Sequence, residues 1–161
     1  MATDPIRPTD TEARALARRL LDTARFAALG VIDPDDGAPS VTRIALATTE
    51  NGAPMTLVSD LSPHTRALRA NPVCSLLVGE PGQRGDPLTH PRITIAARAA
   101  FVARDSATHP ALRDRYLACQ PKAKLYIDFG DFHIVTFSMQ NGALNGGFGR
   151  AFRLTGEDLL P

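Results

Sequence analysis

Seven short apolar runs, each closed by a turn signal, constrain this chain more than any other feature. They span residues 26–32, 40–48, 55–59, 73–78, 92–102, 132–139 and 143–152. Asp33-Pro34-Asp35-Asp36-Gly37 ends the first run. Glu50-Asn51-Gly52 reads as a type I′ hairpin between the second and third, and Gln140-Asn141-Gly142 as a hairpin between the last two. Asn-Gly supplies the positive φ that tight hairpins need. Hairpin links imply antiparallel neighbours, because parallel strands need a long crossover.

Helices are few. Thr9-Asp10-Thr11-Glu12 reads as a capping box, and Ala13, Leu16, Ala17, Leu20, Leu21 and Ala24 then recur on one helical face. Arg14, Arg18, Arg19 and Arg25 fall elsewhere and read as a solvated face. A second helix starts at Ser62-Pro63 and stops at Asn71-Pro72, and a third runs from about Pro110 to Cys119. The fold expected is mainly β with peripheral helices, an antiparallel barrel and not a βαβ sheet. A small closed barrel fills its own interior with side chains. Ligands then bind outside it, at a rim, or between subunits.

Composition narrows the class. A chain of 161 residues with 43% apolar and 22% charged residues suits one globular domain over 1–161, with a flexible N-terminus at 1–8 and a tail at 156–161. A net charge of +1 argues against a duplex-DNA binder. Cys74 and Cys119 sit in no CxxC and beside no histidine at metal spacing, so neither a disulfide framework nor a metal site is expected. MATDPIRPTD lacks the basic and apolar regions of a signal peptide, and no run approaches the ~18 apolar residues of a membrane span. A cytoplasmic location is expected.

The chain has no P-loop, Rossmann fingerprint or GxSxG elbow. Four segments carry candidate chemistry. Around Ser59, Ser62, His64, Thr65 and Arg66, a strand end meets a helix start, where free N–H groups, hydroxyls and cations suit a phosphate. The same residues also read as plain helix capping. Arg43 interrupts an apolar strand beside the small Ala45 and Ala47, leaving room for a flat ligand, or else reaches solvent from a strand edge. Asn145 to Ala151 places Gly146, Gly147 and Gly149 around Phe148 and Arg150 inside a late strand. That pattern marks either a close approach by ligand or a structural bulge. Residues 80–91 form a long polar loop carrying Arg84 and Asp86.

The ordered set Arg43-Ile-Ala-Leu46, Leu57-Val-Ser-Asp-Leu61 with His64-Thr65, Ser75-Leu-Leu-Val78, Gly85-Asp-Pro-Leu88, Arg92-Ile-Thr-Ile95, Tyr126 to Phe132 and Gly146 to Ala151 resembles the pyridoxamine 5′-phosphate oxidase-like FMN-binding split barrels. Within them it is most similar to the heme-utilisation (HugZ-like) branch. The resemblance implies a six-stranded antiparallel split β-barrel and a homodimer with FMN at the subunit interface. Carried over, Arg43 reaches the FMN phosphate, and Ile44, Ala45 and Leu46 lie along the isoalloxazine. Ser59 and Asp60 flank the flavin. His64 and Thr65 stand where the oxidases carry an Arg-Lys phosphate pair. Gln83, Arg84 and Arg92 belong to the partner's side of the cleft, and at the glycine-rich segment Phe148 is expected to wall the cleft and Arg150 to steer an acidic substrate or a heme propionate. The chain has no Trp, and the oxidases' C-terminal substrate segment is not recognisable, so pyridoxamine phosphate oxidation is not expected. The function implied is a flavin-dependent oxidoreductase of unassigned substrate. The alternatives are a non-catalytic FMN or heme storage protein, or a heme-degrading protein.

Overall fold

The computed structural model describes residues 5–161. In chain order the elements are β1 (Ile6–Arg7), α1 (Thr11–Thr23), β2 (Phe26–Ile32), β3 (Pro39–Ala45), β4 (Ala47–Thr48), β5 (Pro54–Ser59), α2 (Pro63–Ala70), β6 (Val73–Val78), β7 (Arg92–Phe101), α3 (His109–Cys119), β8 (Phe132–Asn145) and β9 (Ala151–Thr155), with 3₁₀ turns at Pro87–Thr89, Pro121–Leu125 and Glu157–Leu159.

All described strands join one nine-stranded sheet, ordered β1-β9-β8-β7-β6-β2-β3, with β4 on β5 and β5 on β8. Every pairing is antiparallel except β1 beside β9. The mainly β architecture with peripheral helices therefore stands. Among the described residues the hydrogen-bonded sheet is mixed, nine-stranded and not closed, so it does not by itself establish the six-stranded barrel expected. The long β8 reconciles the two arms: its first residues pair with β5 and its remainder with β7 and then β9.

Turn chemistry explains three further corrections. Gln140-Asn141-Gly142 makes no hairpin. β8 runs straight through it, with Gln140 the extra residue of a bulge opposite Ala96 and Ala97. Gly142 is there for space, since a Cβ would meet Ile93 Cδ1 at 3.0 Å and Leu159 methyls at 3.3 Å. The true turn is at 146–150, where Gly147 (φ +114°) and Gly149 (φ +66°) take the left-handed backbone that side chains resist. The glycine run thus lies between strands and not inside one. At Glu50-Asn51-Gly52 only Gly52 has positive φ, so the turn is not type I′, which needs two such residues.

The N-cap of α1 is Asp10, whose carboxylate accepts from Ala13 N at 2.8 Å. Thr9 instead donates to the Arg153 carbonyl. Helix α1 inserts Ala13, Ala17 and Leu21 into a core shared with Leu29, Leu76, Ile93, Ile95, Phe137 and Leu144. A smaller cluster of Met55, Tyr116, Ala123 and Ile127 sits under α3. Both described ends of the chain pack against the rest of the fold. Ile6 and Arg7 pair with Ala151 and Phe152, and Leu159 is fully buried in the main core. Residues 1–4 of the expected flexible N-terminus lie outside the described residues.

Candidate functional site

Strand alternation builds the site. Along β3, Ile44 is buried in the core while Val41, Arg43 and Ala45 face outward. In register with Arg43 lies Ala28 of β2, and with Ala28 lies Leu77 of β6. The small Ala28 between two longer side chains leaves a hollow on the sheet's outer face. The C-terminal end of α1 and the residues after β6 wall that hollow. The result is a cleft of about 730 Å³, whose lining includes Leu20, Phe26, Val41, Leu77, Leu88 and Pro87.

Three arginines reach this apolar cleft: Arg25, Arg43 and Arg92. The Arg43 guanidinium carbon lies 5.2 Å from the centroid of the Phe26 ring. Arg92 donates to the carbonyls of Leu88 (2.9 Å) and His90 (3.4 Å), and Arg25 to the carbonyl of Ala24 (3.4 Å). Glu80 lines the same cleft. Among the described residues, none of these four forms an ion pair. Gly79 makes the wall tight, because a Cβ there would meet Pro91 O at 2.5 Å and Arg92 Cα at 2.7 Å. The 80–91 loop is internally braced. Gly82 N donates to His90 Nδ1 (3.1 Å), His90 Nε2 donates to Arg84 O (2.8 Å), and Asp86 accepts from Leu88 N (2.9 Å).

A second cleft of about 330 Å³ opens between β3 and β5, bounded by Arg43, Ile44, Ala45, Ser59, His64 and Tyr126 among others. His64 Nδ1 lies 3.0 Å from Thr42 Oγ1. Burial pushes the His64 pKa below its ordinary value, favouring the neutral ring.

The sequence candidates divide accordingly. Arg43, Ile44, Ala45, Ser59 and His64 come together at the second cleft, and Arg43 and Arg92 at the first. Ser59 is already committed, donating to Asp131 and accepting from Leu61 N. Leu46 is fully buried in the core. Thr65, also buried, donates to the Ser59 carbonyl at 2.6 Å. Asp60 turns to His133 (2.9 Å) and Arg69 (3.3 Å), and the His133 hydrogen bond leads in holding its carboxyl below the usual range. Phe148 is 96% exposed at the hairpin tip, and Arg150 pairs with Glu12 at 3.4 Å. Leu46, Asp60, Thr65, Phe148 and Arg150, with Gln83 and Arg84, line neither cleft.

Arg25 and Phe26 were not among the sequence candidates, and Glu80 entered only as the first residue of the 80–91 loop. Arg25 looks like one more member of the helix's arginine series, yet α1 ends at Thr23 and Arg25 lies beyond it. The outward alternation of Phe26 with Ala28 was the available signal. Among the described residues no group of three potential metal ligands occurs, both cysteines are free, and no helix is long and apolar enough to cross a membrane. Burial pushes the Cys74 thiol up to about 11, which keeps it protonated.

Comparison with known proteins adds chemistry to this geometry. Residues 8–159 match the family model described as CREG, beta-barrel. The chain is 38% identical over 124 residues to the chloroplastic heme oxygenase HOZ of Arabidopsis thaliana, covering 76% of this chain and 36% of that protein. It is 28% identical over 135 residues to the heme oxygenase HutZ of Vibrio cholerae, covering 77% and 71%. A solved heme binding protein from Mycobacterium smegmatis superposes with a TM-score of 0.84 at 29% identity, covering 96% of this chain and 61% of that one. At the level of fold alone, a pyridoxinephosphate oxidase-family protein from Clostridium acetobutylicum matches with a TM-score of 0.70 at 12% identity, covering 94% and 99%. The chain thus spans about a third of the length of the plant relative. These relatives correct the expected cofactor. They are named for binding or degrading heme, so heme replaces FMN as the ligand against which the clefts are judged.

Proposed function

The chain belongs to the CREG β-barrel family, with a split-barrel fold of the pyridoxamine phosphate oxidase-like superfamily, and from that premise we propose that it is a heme-binding protein of heme utilisation. One observation carries the reading. An apolar cleft of about 730 Å³ is rimmed by Arg25, Arg43 and Arg92, none of which has an acidic partner among the described residues. Heme is a flat apolar macrocycle bearing two carboxylates. Arg is suited to carboxylates by its planar fork of donors. Phe26, Val41, Leu77 and Leu88 supply apolar wall, and the unpaired arginines supply charge for the propionates. The donor set therefore fits the group.

Two structural readings belong with this proposal. First, Leu46 N still bonds the Arg25 carbonyl at 2.9 Å. Reading β3 and β4 as one strand bent at Leu46 links β2 to β5 and completes a ring of six. Second, beside the cleft floor of Arg43, Ala28 and Leu77, the next outer row Gly30-Ser75-Ala96 continues an open, uncharged sheet face. We read that face as the contact between two copies of the chain, with the cleft at its margin.

The test is direct. Hemin is added to the purified protein and free hemin is removed by gel filtration. The reading expects a shifted Soret band and one heme retained per chain. Protein that emerges colourless defeats it.

A further inference from the structure

We infer that the arginine-rimmed cleft recognises the tetrapyrrole dicarboxylate and not the iron. The inference rests on the heme reading above and narrows its ligand class to flat macrocycles with two carboxylates, metallated or not.

The lining carries the argument. Among the described residues of one chain it contains no His, Cys, Met, Tyr or Lys, the side chains that commonly ligate heme iron strongly. Glu80 is the one carboxylate there, and a carboxylate is a weak ligand that also repels propionates. The described histidines are turned elsewhere. His64 lines the other cleft, with Thr42 bonded to its Nδ1. His90 belongs to the cleft's own loop, yet both its ring nitrogens are engaged, by Gly82 N and the Arg84 carbonyl. His133 is paired with Asp60. His109 begins α3, which contributes nothing to this cleft.

Binding strength then comes from two sources. One is burial of the macrocycle against Phe26, Val41, Leu77 and Leu88. The other is charge-assisted pairing of the carboxylates with Arg25, Arg43 and Arg92. Neither depends on the metal. Removing the iron leaves both intact, and esterifying the carboxylates removes the second.

The experiment compares hemin, protoporphyrin IX and protoporphyrin IX dimethyl ester on the intact protein. Porphyrin fluorescence reads the last two, and absorption reads hemin. The inference expects hemin and protoporphyrin IX to bind within about tenfold of each other, and the ester more than tenfold weaker, a 1.4 kcal/mol difference. It also expects the absorption spectrum of bound ferric heme to be the same in wild type, His64→Gln and His109→Gln. Hemin binding more than tenfold tighter than protoporphyrin IX overturns it. So does an ester that binds like the free acid, or a spectrum altered by either histidine substitution. If hemin and protoporphyrin IX both fail to bind, the heme reading falls as well. Tight hemin binding with strong iron selectivity leaves that reading standing and removes this inference alone.

Discussion

Arg43 holds its guanidinium 5.2 Å from the centre of the Phe26 ring on the neighbouring strand, with no carboxylate to neutralise it among the described residues. The ring steadies the cation by its quadrupole, and both line the same cleft. A charge kept over an aromatic face and left unpaired is prepared for an anion that arrives with an apolar body.

Arg43→Ala tests that pairing. A charge-assisted contact is worth about 1.5–3 kcal/mol, so hemin affinity should fall roughly ten- to a hundredfold. The side chain faces solvent and supports no core packing, so the melting temperature should not move. Absorption titration and thermal denaturation of the same preparation read the two effects.

Glu80→Gln should act in the opposite sense. The carboxylate lines the cleft without an ion pair and repels a dicarboxylate ligand. An exposed charge contributes about 0.2–1 kcal/mol, so affinity should rise ~1.5- to 5-fold. The gain should shrink at high salt, where surface charge is screened. A loss of affinity at low salt would place Glu80 among the ligand's supports.

Two glycines separate shape from stability. Gly79→Ala forces a Cβ against Pro91 O and Arg92 Cα in a backbone with φ +113°. It should cost at least about 2 kcal/mol and also weaken hemin binding, because Arg92 must shift. Gly142→Ala meets only side-chain methyls of Ile93 and Leu159. It should cost about 1–3 kcal/mol and leave hemin affinity unchanged. Denaturant melts and hemin titrations of both variants check the contrast.

His64 gives a pH dependence with a definite sign. Burial lowers its folded-state pKa below the ordinary 6.5. As pH falls through about 6.5 the unfolded chain takes up a proton that the folded chain refuses, so stability drops. The loss levels off once the pH is below the folded value. His64→Gln should flatten this part of the stability profile, read as Tm between pH 7.5 and 5 against wild type.

Much of the fold was legible, and the reasons are local. The outward Arg43 in an apolar strand could be singled out because a charge there needs an explanation. The strand region around it could be bounded because Gly37 before it and Gly52 after it do mark turns, with φ of +73° and +80°. Gln140-Asn141-Gly142 misled because Gly142 is fixed by the crowding of Ile93 and Leu159 across space, which no local pattern reports. Phe148 and Arg150 sit at a turn and not along a strand, because Gly147 and Gly149 beside them take positive φ. Thr65 had the right chemistry for a ligand, yet its hydroxyl is used by the Ser59 carbonyl. The arginine cleft was illegible as a unit, because its charges come from the link between α1 and β2, from β3 and from the start of β7.

Ser75→Arg addresses the proposed contact between copies. Ser75 is exposed on β6, beside Gly30 of β2 and Ala96 of β7. An arginine there places a charge at the centre of the open face without entering the core. Sedimentation should show wild type as a dimer and the variant as a folded monomer. Wild type sedimenting as a monomer would remove the second copy from the proposal.

The most direct measurement is a hemin titration of a triple variant, Arg25→Ala with Arg43→Ala and Arg92→Ala, beside a control lacking three exposed arginines outside the cleft lining, Arg7, Arg19 and Arg153. The two carry the same net charge, so general electrostatic attraction is matched. The account predicts that the control binds hemin like wild type while the triple variant loses at least about a hundredfold in affinity and stays folded. Equal affinities for the triple variant and the control would contradict it.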